Sequence, residues 1–312
     1  MIKTLFITIF LASAWAGLAF AEEWRPNTNV YAYHGSQNGA KTDQPREAII
    51  SQPLKHTVGA DESLLDIARH YHLGYRELIK ANPGVDPWVP PVGLEINIPS
   101  RWILPKGERR GLVLNIPEMR IYYYLSDSEV MTFPLGIGME GWDTPAGKFR
   151  IGEKRTDPVW HVPLSIQKEM EFPRTVVPPG PTNPLGRYWM RLSSTSYGIH
   201  GTNNAWAVGR FITHGCIRLY PEDIAFLFPR VARGTPVEII YQYAKVGISG
   251  GKPYFQIYRL HGRRDADLLA ELIPQVRDLE LDVDLRQMRN LLREAKEGAL
   301  IPVPLNDSSG RE

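Results

Sequence analysis

Short segments with the patterning of β-strands follow one another between residues 111 and 241 of this 312-residue chain. Each alternates apolar with polar residues or is rich in β-branched and aromatic side chains, and turn-forming residues separate it from the next. The segments are Gly111 to Ile116, Arg120 to Leu125, Val130 to Ile137, Lys148 to Lys154 and Tyr188 to Ser193. Strands at such short spacing predict a sandwich or an open barrel.

A proline-rich stretch from Asp157 to Pro184 interrupts this series and is too long for an ordinary hairpin connection. Long loops within compact domains are often functional lids. A surface insertion that only packs against the domain is the alternative, and the sequence leaves both interpretations open.

The region before the strands, residues 55–100, predicts a small strand–helix–helix–strand domain. Its elements are indicated by His56-Thr57-Val58, by the helix cap Asp61-Glu62-Ser63, by the helical spacing of Tyr75 to Ala81, and by the alternation of Gly93 to Pro99. Residues 22–54, which precede it, are predicted to be a linker.

The region after the strands, residues 242–312, is predicted to be a C-terminal extension. It has a hairpin signal at Gly250-Gly251, then two amphipathic helical patterns, and an end from Asn306 that we expect to be disordered. The predicted fold class is therefore α+β: a mainly β, sandwich-like domain over residues 110–241, the small βααβ domain, and a hairpin and helical extension.

The N-terminus predicts export. Lys3 precedes an apolar run from Leu5 to Leu18, and Ala19-Phe20-Ala21 follows as a processing signal. The run is shorter than the roughly 20 apolar residues that span a bilayer, which argues against an uncleaved anchor. We expect residues 1–21 to be a signal peptide and the mature protein to begin near Glu22.

Charge and cysteine content narrow the function. With 36 basic and 34 acidic residues the formal net charge is +2, which gives no concentrated basic surface for nucleic acid. Cys216 is the single cysteine, so it cannot form an internal disulfide. Because an unpaired thiol is an oxidation liability in an exported protein, Cys216 is either buried and inert or chemically active.

Two histidines are candidates to activate this thiol. A cysteine nucleophile needs a base or a lowered pKa, because the thiolate is the attacking species. His214 lies two residues before Cys216, whereas His200 belongs to the separate segment Tyr197 to Asn203. The residues alone do not decide between them.

The residues around Cys216 predict an electrostatic role for their neighbours. In a strand, Cys216 and Arg218 point to one face while Ile217 and Leu219 point into the core. The Arg218 cation would favour the thiolate and pair with a substrate carboxylate. Gly215 permits close backbone approach, so N–H groups of Gly215 and Cys216 are candidates for an oxyanion hole.

A zinc site is an alternative use of the same side chains. His200, His214 and Cys216 are metal ligands by type, and three ligands leave one open position. Their spacing matches none of the common zinc signatures. We therefore predict neither a metal nor another cofactor.

Residues 55–100 resemble the LysM module, which binds glycans that contain N-acetylglucosamine. The resemblance is carried by His56-Thr57-Val58, Asp61-Glu62-Ser63-Leu64, Asn82-Pro83 and Leu94 to Pro99. Ala60 stands where a Gly usually precedes the Asp, which puts the first loop of the glycan-binding edge in question. The resemblance implies peptidoglycan binding, with a module kept only as a spacer as the alternative.

Residues 110–241 resemble the bacterial L,D-transpeptidase catalytic domain, and the whole chain resembles the periplasmic, LysM-bearing group of that family. The motifs are Thr213-His214-Gly215-Cys216-Ile217-Arg218-Leu219 and His200-Gly201-Thr202-Asn203, with flanking matches at Pro117 to Tyr124, Gly141 to Gly147 and Pro178 to Gly186.

This resemblance implies a role for each matching residue. Cys216 is the nucleophile and His200 the proton acceptor and donor, while His214 and Gly215 shape the oxyanion site. The implied substrate-binding residues are Arg218, Thr202, Asn203 and Thr213, the last standing where many members have Ser.

The implied reaction is attack on the amide between the third residue of a peptidoglycan tetrapeptide stem and its terminal D-Ala. The acceptor stays open: a second diaminopimelate, the C-terminal lysine of an outer-membrane lipoprotein, or water, which would make the protein a hydrolase. A glycan-binding scaffold without catalytic activity is the alternative from another class.

Overall fold

The structure of the protein is a computed structural model, and it describes residues 30–33, 48–139, 141–171 and 173–306. The predicted signal peptide, residues 1–21, and residues 307–312 of the end expected to be disordered lie outside the described residues. No helix in the described ranges is long and apolar enough to cross a bilayer.

Strands and short helices make up the described chain. The strands are β1 Val30–Ala32, β2 Ile49–Ile50, β3 Leu54–Thr57, β4 Glu95–Ile98, β5 Trp102–Ile103, β6 Gly111–Asn115, β7 Arg120–Tyr124, β8 Glu129–Pro134, β9 Ile137–Gly138, β10 Gly147–Thr156, β11 Trp160–His161, β12 Val176–Val177, β13 Tyr188–Leu192, β14 Gly198–His200, β15 Phe211–Thr213, β16 Ile217–Arg218, β17 Pro236–Ile240, β18 Ala244–Ser249, β19 Lys252–Ile257 and β20 Ile301–Pro302. The α-helices are α1 Leu64–His70, α2 Tyr75–Ala81, α3 Leu164–Gln167, α4 Pro221–Arg230, α5 Asp265–Asp278 and α6 Leu285–Glu294.

A nine-stranded sheet forms the centre, in the order β1-β8-β7-β6-β17-β10-β13-β14-β16. Neighbours are antiparallel except the parallel pairs β6/β17 and β14/β16. The long strand β10 joins the two halves of the sheet, pairing with β17 through Gly147 to Arg150 and with β13 from Ile151 onwards. A register shift between Ile151 and Lys154 marks an irregularity, which bends a strand and lets it serve both halves.

One hydrophobic core unites both halves of this sheet. Leu112 and Phe133 from one half and Met190 and Ile217 from the other belong to the same buried cluster. The mixed, largely β architecture that was predicted is confirmed. The predicted single strand Val130 to Ile137 is wrong, because the chain leaves β8 at Pro134 and β9 pairs with β15 instead.

The small N-terminal domain has the predicted order of elements. Strands β3 and β4 pair antiparallel and flank α1 and α2. Ser63 caps α1: its hydroxyl accepts from the Asp66 N–H at 3.2 Å, and the Asp66 carboxylate accepts from the Ser63 N–H at 3.0 Å. Its identity as a LysM module stays a prediction.

Residues 22–54 were predicted to be a linker, but the described part of this range contains the strands β1 and β2 and the start of β3. β1 pairs with β8 at the edge of the central sheet, and β2 pairs with β5. The Ala48 N–H also donates to the Ile248 carbonyl at 3.1 Å. These backbone pairings supply the stability that the local sequence lacks.

The N-terminal domain packs tightly on the central sheet. The buried Arg120 of β7 donates to the Glu77 carboxylate at 2.9 Å and to the His72 carbonyl at 3.0 Å, and lies 3.9 Å from the Trp102 ring centroid. A Cβ atom on Gly74 would lie 3.0 Å from the Gly209 Cα, so the two backbones are in direct contact.

The C-terminal extension also joins this body. β18 and β19 form the predicted hairpin around Gly250-Gly251, and α5 and α6 pack on the main core through Leu268 and Met288. A cavity of about 500 Å³ lies where the extension meets α2 and β15, and Arg76, Phe211 and Leu260 are among its walls. The residues that line it do not include the predicted catalytic pair.

Candidate active site

Strands β14 and β16 bring the two predicted catalytic segments together. They run parallel, with Ile199 opposite Ile217 and His200 opposite Arg218. Ile199 and Ile217 are fully buried in the core. Because side chains alternate along a strand, His200 and Arg218 project to the other face. Cys216 directly precedes β16, and the Arg218 cation lies near enough to its thiol to lower the thiol pKa.

The turn before Cys216 depends on Gly215 and Thr213. Gly215 has φ +93°, and a Cβ there would lie 2.3 Å from Cε1 of Tyr197. The buried Thr213 hydroxyl accepts from the Gly215 N–H at 3.2 Å and donates to the Cys216 carbonyl at 2.6 Å. Thr144 donates its hydroxyl to the Gly215 carbonyl at 3.2 Å, so the turn is held on both sides.

This arrangement corrects the expected oxyanion donors. The Gly215 N–H points to the Thr213 hydroxyl, so it does not face a substrate carbonyl in this structure. Gly215 shapes the turn instead, and the Cys216 N–H is the donor that remains from the predicted pair. Sequence spacing could not show this, because the hydroxyl competes for the N–H only once the turn has formed.

His200 is buried and held in one tautomer. Its Nδ1 lies 2.6 Å from the Gly201 carbonyl, which can only accept, so Nδ1 carries the proton and Nε2 the lone pair. Burial is the main cause that lowers the pKa of His200 to about 3, and the nearby Arg218 cation is the second. Hydrogen bonds to the backbone carbonyls of Gly201 and Leu185 have the opposite, smaller effect and raise this pKa. The imidazole is therefore neutral at physiological pH and able to accept a proton.

The Cys216 thiol is protonated in the resting site. Burial raises its pKa, while the Gly198 backbone N–H and the Arg218 cation oppose that change. A raised thiol pKa beside a lowered imidazole pKa makes the neutral pair the ground state. The thiolate must therefore form when His200 takes the proton during the reaction.

Arg218 offers a binding group for an anion. Its backbone pairs with Gly136 through two hydrogen bonds of 2.8 Å, which fix its position. Its Nε atom is buried and has no hydrogen-bond partner among the described residues. Since an unpaired buried donor costs about 1–3 kcal/mol, a carboxylate beside it would be strongly favoured.

His214 lies in a different environment. Its Nε2 is 2.8 Å from the Glu169 carboxylate, which belongs to the proline-rich stretch, and its ring meets the edge of Trp142 at 4.9 Å. The two candidate bases thus have different partners: His200 lies opposite Arg218 in the β14/β16 register, whereas His214 contacts Glu169 of the proline-rich stretch.

Thr202 and Asn203 have internal partners. The Thr202 hydroxyl donates to the Asn204 carbonyl at 3.1 Å and accepts from the Asn204 N–H at 3.0 Å. The Asn203 amide donates to the Thr182 carbonyl at 3.2 Å. Both residues shape the loop after His200, and their predicted contact with substrate remains a prediction.

Trp189 is a residue of the site that the sequence analysis missed. It lies opposite His200 in the β13/β14 register, and the two rings stack with centroids 5.4 Å apart and planes 24° from parallel. Gly198 makes room for it, because a Cβ there would lie 2.5 Å from the indole. A glycine inside a strand, two residues before His200, was the available signal for such a close approach.

The zinc alternative requires His200, His214 and Cys216 to lie together as metal ligands. Within the described residues no three or more His, Cys, Asp or Glu side chains are grouped to hold a metal ion. His214 contacts Glu169 and Trp142.

Comparison with known proteins gives the family. Residues 109–239 match the YkuD family, described as the L,D-transpeptidase catalytic domain. The chain is 39% identical over 209 residues to “Probable L,D-transpeptidase YcfS” of Escherichia coli K12. The aligned region covers 64% of this chain and 65% of that protein, so the chain spans just under two thirds of that relative. It is 33% identical over 281 residues to “Probable L,D-transpeptidase ErfK/SrfK” of Salmonella typhimurium LT2, covering 84% of this chain and 89% of the relative.

A solved structure is also similar in part. The NMR structure of the catalytic domain from the Enterococcus faecium L,D-transpeptidase is 24% identical, with a TM-score of 0.34, and covers 44% of this chain and 100% of that domain. The Salmonella relative, covered to 89% of its length at 33% identity, shows the family, and the match over residues 109–239 agrees with it. The chain belongs to the L,D-transpeptidase family with the YkuD catalytic domain.

Proposed function

We propose that this protein is an exported cysteine L,D-transpeptidase that acts on peptidoglycan stem peptides. The observation that supports the proposal is the pairing of β14 with β16, in which His200 lies opposite Arg218, two residues after Cys216. The glycine turn and the Gly198 N–H at the thiol support it. Family membership supplies the substrate class.

Acylation begins with proton transfer. His200 Nε2 takes the thiol proton as the Cys216 sulfur attacks the carbonyl carbon between the third stem residue and D-Ala. The carbonyl oxygen becomes an oxyanion, stabilised by the Cys216 N–H. The imidazolium then protonates the leaving amine, the C–N bond breaks, and a thioester remains as D-Ala departs.

Deacylation reverses these roles. An incoming amine attacks the thioester carbon, neutral His200 accepts the proton from that amine, and the sulfur leaves and regains a proton. Arg218 supplies the buried donor for a substrate carboxylate throughout, which orients the stem without consuming a proton.

The remaining parts of the chain fit an enzyme of the cell wall. We propose that the N-terminal domain binds the glycan and that the protein works in the periplasm after removal of residues 1–21. The acceptor amine is either a lipoprotein C-terminal lysine or the diaminopimelate of a second stem. Of these we favour the lysine, because the chain organisation resembles that subgroup.

A direct assay tests the proposal. The mature protein is incubated with a disaccharide-tetrapeptide, with and without a lysine-ended lipoprotein peptide, while released D-Ala, products and intact protein mass are followed. We expect D-Ala loss with a peptide conjugate for the wild type and none for Cys216→Ala. D-Ala loss without a conjugate identifies a hydrolase, and no reaction in a folded protein favours the glycan-binding scaffold.

Acylation by a carbapenem tests which histidine is the general base. The reaction needs no acceptor amine, so its rate reports the acylation step alone. We expect mass addition in the wild type, none after Cys216→Ala, and at least tenfold slower addition after His200→Ala, in line with the loss of a general base. The matched variant His214→Ala should be acylated faster than His200→Ala. Unchanged kinetics in His200→Ala would assign the base to His214.

A further inference from the structure

Trp189 meets His200 on the ring face. The two residues face each other across β13 and β14, and their planes are 24° from parallel. Gly198 opens the space for the indole and also donates its N–H to the thiol of Cys216. A single glycine therefore links the indole, the imidazole and the sulfur.

The reaction places a positive charge under this indole. When His200 takes the thiol proton, the S–H bond breaks, an N–H bond forms, and a thiolate and an imidazolium replace two neutral groups. Burial and the Arg218 cation both disfavour the imidazolium. An aromatic face stabilises a nearby cation, and among side chains the indole does so best.

We infer that Trp189 is a positioning residue that stabilises the His200 imidazolium and so promotes formation of the Cys216 thiolate. Its stack holds the imidazole plane while the Gly201 carbonyl holds Nδ1, so that the ring is fixed in rotation as well as in tautomer. The inference rests on the proposed function only in assigning the base to His200.

Alkylation of Cys216 by iodoacetamide tests this without any peptidoglycan substrate. The Cys216 sulfur forms a C–S bond to the reagent, and the products are S-carboxamidomethyl cysteine, iodide and a proton. Near neutral pH, below the thiol pKa, His200 acts as the general base and takes the thiol proton as the sulfur attacks. At strongly alkaline pH the thiol loses its proton to solvent instead, and His200 stays neutral.

Trp189→Leu keeps an apolar side chain but removes the aromatic face. We expect alkylation near neutral pH to slow about threefold, the factor that corresponds to the usual strength of a cation–π contact, and to match the wild type at alkaline pH. Trp189→Phe retains a face and should recover part of the neutral rate. Trp88→Leu, an exposed tryptophan that stacks on Trp206, is the matched control and should leave the profile unchanged.

Two results would overturn the inference. One is a Trp189→Leu profile equal to that of the wild type at every pH. The other is a uniform change at neutral and alkaline pH in both Trp189→Leu and Trp189→Phe, which indicates a role in packing alone. If stem peptides fail to react while the expected alkylation profile is observed, the proposed function fails and the role of Trp189 stands.

Discussion

Some polar side chains of this site hydrogen-bond to the backbone and stabilise its conformation. Thr213 is the clearest case, since its buried hydroxyl is donor to one carbonyl and acceptor from one N–H of the same turn. From the sequence this residue looked like a substrate contact. The motif identified the right residues, but only the folded turn shows which partners each polar atom has.

Replacement of Thr213 by Val should damage the turn. Val has nearly the same shape but leaves the Gly215 N–H and the Cys216 carbonyl without this partner, in a site that excludes water. We expect a loss of about 1–3 kcal/mol in the free energy of unfolding and slower carbapenem acylation.

Thr213→Ser is the matched control, because it retains the hydroxyl and should stay close to the wild type in both denaturant unfolding and acylation. A Val variant as stable and as reactive as the Ser variant would show that the two hydrogen bonds contribute nothing measurable.

At the scale of elements, alternation along the chain predicted most strands well. Predicted Arg120 to Leu125 became β7, Arg120–Tyr124, and predicted Tyr188 to Ser193 became β13, Tyr188–Leu192. The division of β8 from β9 was not predictable, because Gly136 closely approaches the Ala207 carbonyl across the fold. Such distant partners leave no local periodicity.

The proline-rich stretch is a second element whose partners are distant. Its base is fixed by the buried Asn183, whose amide donates to the Pro158 carbonyl at 2.8 Å and to the Pro178 carbonyl at 3.1 Å. Its α3 end is held to the catalytic turn by the half-exposed pair of Glu169 and His214. The sequence left open whether this stretch is a lid, and a contact to the residue next to Gly215 favours that interpretation.

Removal of the Glu169 charge should loosen this end of the loop. Glu169→Gln keeps the shape but weakens a contact that, at the surface, contributes up to about 1 kcal/mol. Trypsin cleavage after Lys168 or Arg174 should become about twofold to fivefold faster. The control is Glu171→Gln, because Glu171 is an exposed neighbour with no ion pair in the described part of the chain. Equal cleavage of the two variants would show that the contact between Glu169 and His214 does not hold the loop.

Across the whole molecule, the three predicted parts form one packed body. Glu118 of the central domain and Lys245 of the C-terminal extension form a fully buried ion pair, and Lys245 also donates to the Ile103 carbonyl at 2.5 Å. Gln256 adds a bond to the Ile103 N–H at 3.1 Å. Composition and motifs predicted a domain boundary near residue 242. They could not show that the two segments pack together, because a buried ion pair between distant residues leaves no signature in either segment.

This pair predicts how the molecule unfolds. Lys245→Met leaves the Glu118 carboxylate buried without its cation, which should cost about 3–5 kcal/mol, because charge desolvation is no longer offset. Since the central domain, strand β5 and the C-terminal extension meet at Lys245, one cooperative transition should move to lower denaturant, with far-ultraviolet circular dichroism and tryptophan fluorescence changing together.

Two comparisons isolate the buried pair as the cause. Lys106→Met breaks an exposed pair with Asp278 and should cost no more than about 1 kcal/mol. The double variant Lys245→Met with Glu118→Leu removes both charges and should regain most of the lost stability, because no ion is left buried. Two separate transitions in the Lys245→Met protein would instead mean that the extension unfolds independently, and that the buried pair closes an interface without making the chain one cooperative unit.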